Sequence, residues 1–314
     1  MKKTRFEVLY GGNHRNIDPT SPEVLFLQSL ASGNVQNALA LFEEQTQFGG
    51  VSVLDAPQGR YEGLKEIEGF VKNWLSDFHA ESATVRPVTQ TRSGGRSVTE
   101  FVFLYQKDGE EKVVPMAAVA ELRYGGKMDT LHIYFQNRVV PGMNCYRPPV
   151  FPAKEDFTLR HEMLTGAIRE YFYALHDTSV DFADKVDTIF SEEAVFGGYD
   201  YNELTDALVP MNREQLKKHF SGINYTINHF VKLRLETIID DGCICCVEWE
   251  QLVTKRGREE KNRLSQAGCS FYERDEFGRI KSVRIIDYAY QENNIDWSRA
   301  RLDKETAEKI NLIQ

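Results

Sequence analysis

No apolar run in this 314-residue chain approaches the roughly 20 residues that a membrane-spanning helix needs. The basic opening Met1-Lys2-Lys3-Thr4-Arg5 leads into Phe6–Asn16, where Glu7, Gly11, Gly12 and His14 interrupt any apolar core of a secretory signal. Positive charge is also short: 38 Lys and Arg stand against 47 Asp and Glu, a net charge of −9. That balance argues against binding a phosphate backbone, which requires a basic face. Cysteine is scarce and odd in number, at five: Cys145, Cys243, Cys245, Cys246 and Cys269. The Cys243-x-Cys245-Cys246 cluster offers neither paired knuckles nor a Cys/His set, so small buried thiols in a reducing compartment are expected rather than zinc ligands. The sequon Asn224-Tyr225-Thr226 has no meaning there. These absences set the expectation of a cytoplasmic protein with no metal, no cofactor, no nucleic-acid partner and no membrane partner.

What is present is ordinary globular composition, 41% hydrophobic and 27% charged residues, in a length suited to two domains. An internal repeat divides the chain. Phe42-Glu43-Glu44-Gln45-Thr46-Gln47-Phe48-Gly49-Gly50 recurs as Phe190-Ser191-Glu192-Glu193-Ala194-Val195-Phe196-Gly197-Gly198, an offset of 190 − 42 = 148. At that offset Glu100-Phe101-Val102 meets Glu248-Trp249-Glu250, and Gly126-Lys127-Met128 later faces Gly278-Arg279-Ile280 at 152. Three matches in one order, with a small drift for loop insertions, are the mark of tandem copies. The expected layout is a first domain over 1–140, a Pro-rich linker over 141–157, a second domain over 158–297 and a polar tail over 298–314.

Within the first copy, Ser21-Pro22 predicts a helix start, a second helix is expected over about Val35–Glu44, and a third over about Leu64–Phe78. Leu64, Ile67, Val71, Trp74 and Phe78 share one face of that third helix. Four β-rich stretches follow near Ala83–Thr91, Ser97–Gln106, Lys112–Tyr124 and Met128–Gln136, with hairpin turns at Ser93-Gly94-Gly95 and Asp108-Gly109. The second copy repeats the scheme, with helices near Phe157–Leu175, Phe182–Phe190 and Asn212–Phe220. Its strands are expected near Thr226–Ile239, Cys243–Thr254, Asn262–Arg274 and Ile280–Tyr290. Helices first and an antiparallel meander after them read as α+β.

Three features of each half carry a family resemblance: a helix ending in Leu-Phe with an acidic turn, the helix leader Tyr61-Glu62-Gly63, and the closing hairpins Gly126-Lys127-Met128 to Ile133 and Gly278-Arg279-Ile280 to Ile285. In these the chain resembles the SnoaL-like group of the nuclear-transport-factor-2-like superfamily over about Pro22–Pro141 and Leu159–Asn294. The resemblance implies two tandem cone-shaped barrels. Each has three N-terminal helices on a curved antiparallel sheet of four or more strands and encloses a mostly apolar pocket. Because members bury the outer sheet face in dimers, it also implies an intramolecular pseudo-dimer.

The resemblance further implies dehydratase-like positions in the second copy, at Tyr171 on the first helix and His229 before the first long strand. Where the family carries an aspartate five residues after that Tyr, this chain has His176, with Asp177 beside it. The limonene-epoxide-hydrolase pattern is reproduced in neither copy. Period-two alternation places Val283, Ile285 and Asp287 on one strand face, and the resemblance turns that face to the pocket. There an apolar setting raises a carboxyl toward acid–base use, whereas at a solvated strand end it does not. The matching face of the first copy, Leu131, Ile133 and Phe135, is apolar, so that copy is expected to be structural. The alternative reading has Tyr171 packed in the core and His229 satisfied at a strand start. Glu100, Glu248 and Glu250 read either as acid–base carboxylates or as a polar outer sheet face. The expected site is thus Asp287 as acid/base with His229 and Tyr171, and an apolar lining of Trp74, Ile133, Phe135, Phe172 and Ile285 for a small apolar molecule. The rival expectation is a non-catalytic ligand-binding or scaffold protein.

Overall fold

Pro22 opens helix α1 (Pro22–Ser32) at a position where its missing N–H has no partner to lose. A computed structural model describes residues 17–42, 52–55, 59–123, 125–135, 163–197, 209–224, 231–254 and 263–288. Ser21 holds the N-cap place, but its hydroxyl does not cap the helix; it accepts a hydrogen bond from Gln90 Nε2 at 2.9 Å. Gly33 ends the helix in the left-handed conformation, at φ 66°. Helix α2 (Val35–Leu39) starts on the Asn34 side chain, which accepts from the Asn37 N–H at 3.1 Å. It is shorter than expected, and Glu43 and Glu44 lie outside the described residues.

Two strands that the alternation pattern did not reveal follow, β1 (Ser52–Asp55) and β2 (Gly59–Glu62). Helix α3 (Gly63–Asp77) buries Ile67, Phe70, Val71 and Trp74, one stripe at three- and four-residue spacing. The meander is β3 (Ser82–Ser93), β4 (Arg96–Lys107), β5 (Glu110–Leu122) and β6 (Met128–Phe135). Its first turn uses Gly94 and Gly95 at φ 59° and 78°, both positive, as a two-residue hairpin whose twist matches the strands requires.

The second set begins with α4 (Gly166–His176), then a 3₁₀ turn at Phe182–Lys185 and α5 (Val186–Ile189). The expected start near Phe157 falls outside the described residues, and Leu164 and Thr165 precede the helix. Strands β7 (Phe190–Gly197) and β8 (Val209–Asn212) lead to α6 (Arg213–Phe220), which Asn212 and Gln215 open with a reciprocal capping box. Strands β9 (Val231–Asp240), β10 (Ile244–Thr254), β11 (Arg263–Arg274) and β12 (Ile280–Tyr288) complete it.

Apart from Tyr288, the described residues fall into two compact units, 17–135 and 163–287. Each contains one six-stranded sheet, ordered β2-β1-β6-β5-β4-β3 in the first and β8-β7-β12-β11-β10-β9 in the second. The orders are the same when the strands are counted within each unit. The last strand sits mid-sheet, parallel to the first strand of its own unit and next to the meander. The sequence repeat has a direct structural counterpart here. Phe42 bridges Met128 in parallel, and Phe190 bridges Ile280 in parallel, so residues matched in sequence meet in the same way in each unit.

In the first unit the helices cover the sheet face that carries Phe101, Phe103, Met116, Ala118, Leu131, Ile133 and Phe135. We call this the inner face; the second unit's inner face carries Cys245, Val247, Trp249, Tyr272 and Val283 under its helices. Glu100, Glu248 and Glu250 lie on the opposite, outer faces: Glu100 is set against Thr89, and Glu250 pairs with Arg234. Cys245, Cys246 and Cys269 are buried and Cys243 is exposed. Among the described residues no cluster of His, Cys, Asp and Glu has metal-ligand spacing, and no helix is long and apolar enough to cross a membrane.

Candidate functional site

The second unit's interior is organised around Tyr171. Helix α4 points it inward together with Phe172 because both fall on the buried stripe of Ile168, Tyr171, Phe172 and Leu175. Its ring has five aromatic neighbours with centroids 5.3–6.1 Å away: Phe172, Phe182, Phe190, Phe220 and Tyr272. Most of these meet edge to face, the arrangement that ring quadrupoles favour. Tyr171 is 5% exposed, and burial pushes its phenol far above the ordinary tyrosine range. The phenol of Tyr272 is likewise pushed up, first by burial and then by the neighbouring Tyr171. At neutral pH the interior therefore holds two neutral phenols, groups able to donate a hydrogen bond and unsuited to act as bases.

Behind Tyr272 the wall is tightly fitted. Trp249 Nε1 donates to Ser270 Oγ at 2.8 Å, and its ring lies over Gly268, where an added Cβ would meet the indole at 2.3 Å. In the first unit the matching cross-strand pair is Phe101 and Met116. Ile285 packs, half-buried, against the same core, and Val283 is fully buried in it.

Asp287 is part of β12, two residues beyond Ile285; its side chain lies outside the described residues. His229 lies outside them altogether. His176 and Asp177, where the resemblance leads one to expect an aspartate, are both engaged elsewhere. His176 Nδ1 is 2.9 Å from the Phe172 carbonyl, which can only accept, so the imidazole carries its proton on Nδ1. Asp177 is exposed and accepts from the Ser179 N–H and hydroxyl, and these bonds hold its carboxyl below the usual range.

The first unit's Trp74, Ile133 and Phe135 do come together. Trp74 packs against Phe70, Phe78, Phe103 and Phe135 with centroids 4.9–6.0 Å away, and its Nε1 is buried with no hydrogen-bond partner among the described residues. Glu23 adds to this interior an ionisable group that the strand-face reading did not cover. The strand face of Leu131, Ile133 and Phe135 is apolar, but α1 delivers a fully buried carboxylate against Gln90, Ser97 and Thr99 on β3 and β4. The signal that could have found it was the parity of Ser97 and Thr99 with Phe101, which puts three polar-to-aromatic neighbours on one inner face. A separate cleft of about 440 Å³, lined by Leu25, Gln28, Ser32, Asn37 and Leu41 among others, lies along α1 and α2.

No protein-family model matches the chain, and no curated protein does. The likeness found is to solved structures of nuclear-transport-factor-2-like and ketosteroid-isomerase-like fold. One is a hypothetical protein of ketosteroid-isomerase-like fold from Catenulispora acidiphila, in complex with trimethylamine, at 18% identity and TM-score 0.34, over 40% of this chain and 92% of that one. Another is an NTF2-like protein of unknown function from Cytophaga hutchinsonii, at 15% identity and TM-score 0.29, over 40% and 96%. A third is the epoxide hydrolase/cyclase-like enzyme SalBIII of pyran ring formation in salinomycin, at 12% identity and TM-score 0.30, over 36% and 87%.

Proposed function

We propose that the second unit binds a small, largely apolar carbonyl or hydroxyl compound and transfers a proton on it. In this reading Asp287 is the acid/base, His229 its partner and Tyr171 the orienting hydrogen-bond donor. The observation that carries it is Tyr171: a phenol at the centre of an aromatic interior, held neutral by burial beside a second neutral phenol. When a base removes a proton from the carbon next to a carbonyl, negative charge develops on the carbonyl oxygen. A neutral donor fixed in an apolar interior stabilises that charge far better than water does. Asp287 would take that proton and return it to another carbon, so the net reaction is an isomerisation that needs no cofactor.

The linings named from the sequence support the same class of ligand, with Phe172 and Ile285 in the second unit and Trp74, Ile133 and Phe135 in the first. The domain ranges 1–140 and 158–297 are proposed with it, as is a location in the cytoplasm. The rival, a binding protein without turnover, is favoured by one observation: His176 and Asp177, in the family's aspartate region, are turned to backbone and to a surface turn.

The experiment is deuterium exchange. Full-length protein is incubated with a panel of apolar cyclic ketones in D₂O and exchange next to the carbonyl is followed by NMR. Protein-dependent exchange that Asp287→Asn abolishes, and that Tyr171→Phe slows by about 10- to 1,000-fold, supports proton transfer. Saturable binding of the same ketones with no exchange supports the binding protein instead.

A further inference from the structure

The inner face of the first unit holds a polar cluster that the second unit lacks. Glu23 is the second residue of α1 and is fully buried. Its Oε1 accepts hydrogen bonds from Gln90 Nε2 at 2.6 Å, from Ser97 Oγ, and from Thr99 Oγ1 at 3.4 Å. Gln90 is held in that orientation because its own Oε1 accepts from the Asp18 N–H at 2.9 Å. The other carboxylate oxygen, Oε2, is buried with no hydrogen-bond partner, and no cation pairs with Glu23 among the described residues.

The fold does not require this cluster. Ser97 and Thr99 on β4 correspond, at the repeat offset of 148, to Cys245 and Val247 on β10. Gln90, opposite Thr99, corresponds to Ile238, opposite Val247. At the same offset Glu23 corresponds to Tyr171, on the buried stripe of α4. At these matched positions the second unit thus has a phenol, a thiol and two aliphatic side chains, and neither a carboxylate nor an amide.

We propose that Glu23 is the head-group site for a small ammonium-bearing ligand in the first unit, independent of the proton-transfer reading of the second. The three groups on Oε1 are neutral, and among the described residues nothing donates to Oε2. The complement is a positively charged donor. A single free oxygen is too few for a metal ion of oxygen preference, which takes six or more. The side chains beside the cluster on the same inner face are apolar. Phe101 follows Thr99 on the same strand face, and Ile133 stands across Ala118 from it.

The test is calorimetric titration of the full-length protein at neutral pH with benzylamine, using benzyl alcohol as the neutral match and benzoate as the anionic one. We expect saturable binding of benzylamine, at least about tenfold tighter than that of benzyl alcohol, and none of benzoate. Glu23→Gln, which keeps the side-chain shape, is expected to reduce the preference for the amine to about onefold. Benzyl alcohol binding as tightly as the amine overturns the proposal, as does the amine failing to bind at millimolar concentration or Glu23→Gln leaving its binding unchanged. If Glu23→Gln does not fold, the amine-against-alcohol comparison on the wild-type protein decides on its own.

Discussion

Replacing Gly268 by Ala should destabilise the second unit, although the same change in an ordinary strand would be favourable. The backbone at Gly268 has no positive φ, so alanine is allowed there, and away from any clash the exchange gains about 0.5–1 kcal/mol. Here the new Cβ would lie 2.3, 2.7 and 2.9 Å from three atoms of the Trp249 ring. The indole cannot yield freely, because its Nε1 is bonded to Ser270 and the ring is 7% exposed. Overpacking of this kind costs about 1–3 kcal/mol. Pulling a buried N–H from its acceptor adds about 1–3 more, for a net loss of roughly 1–5 kcal/mol. For a unit of this size that is a fall in Tm of about 10 °C, read by circular dichroism on the full chain. Trp249→Phe, which imitates Phe101 opposite Met116, should recover part of the loss, with a coupling of at least about 1 kcal/mol in the double-variant cycle. A Gly268→Ala protein that melts at or above the wild-type temperature would refute the argument, as would strict additivity in the cycle.

Ultraviolet titration should find Tyr171 and Tyr272 un-ionised well past the ordinary phenol range. The unfolded chain releases these protons near pH 10 while the folded chain keeps them, so stability should fall as pH rises above about 10; normal titration of all tyrosines would contradict this. Arg274 grips Asp240 with two bonds of 2.8 and 2.7 Å. Burial alone would raise the Asp240 carboxyl, but Arg274 and the Gly242 N–H outweigh it and hold the group down. Its contribution is full above the unfolded value of about 4 and is lost as pH falls through the folded one. Arg274→Ala should therefore cost about 1–3 kcal/mol in urea denaturation at pH 7 and less at pH 3. Tyr171→Phe should slow any exchange activity while leaving the fold intact, since the ring contacts remain; unfolding of that variant would make Tyr171 a core residue first.

Much of the fold was legible because amphipathic periods survive in single elements. The stripe Ile67, Val71, Trp74 fixed a helix within a residue of its observed start, and Gly94-Gly95 and Asp108-Gly109 fixed two hairpins. Strands β1 and β2 were not legible, since four residues are too few for alternation to show. Phe190 reads as the end of a helix over Phe182–Phe190, and no strand is expected after it; Phe190–Gly197 becomes β7 through pairing with β12, a partner some ninety residues away that local pattern does not contain. The site divides in the same manner. Strand parity grouped Leu131, Ile133 and Phe135 on one face, and the family resemblance turned that face inward. Glu23, by contrast, reads locally as an ordinary first-turn acid that favours the helix dipole. Only the meeting of α1 with β3 and β4 turns it into a buried carboxylate.

The placement of the last strand governs how each unit is made. Strand β6 lies between β1 and β5, so the β1–β2 hairpin and the β3–β4–β5 meander are joined only through it. Until residue 135 has been synthesised, the first unit consists of two pieces of sheet with unpaired edges, and the closing contact, Phe42 to Met128, spans almost its whole length. Loop closure of that range comes before any reward from the central pairs, which marks the sheet as a slow, all-at-once folder rather than a progressive one. The second unit repeats the arrangement with Phe190 and Ile280. A ribosome-bound chain therefore passes through two windows of exposed edge strands, each ending only when a copy's final strand arrives, and a truncation just before either final strand leaves an aggregation-prone remnant.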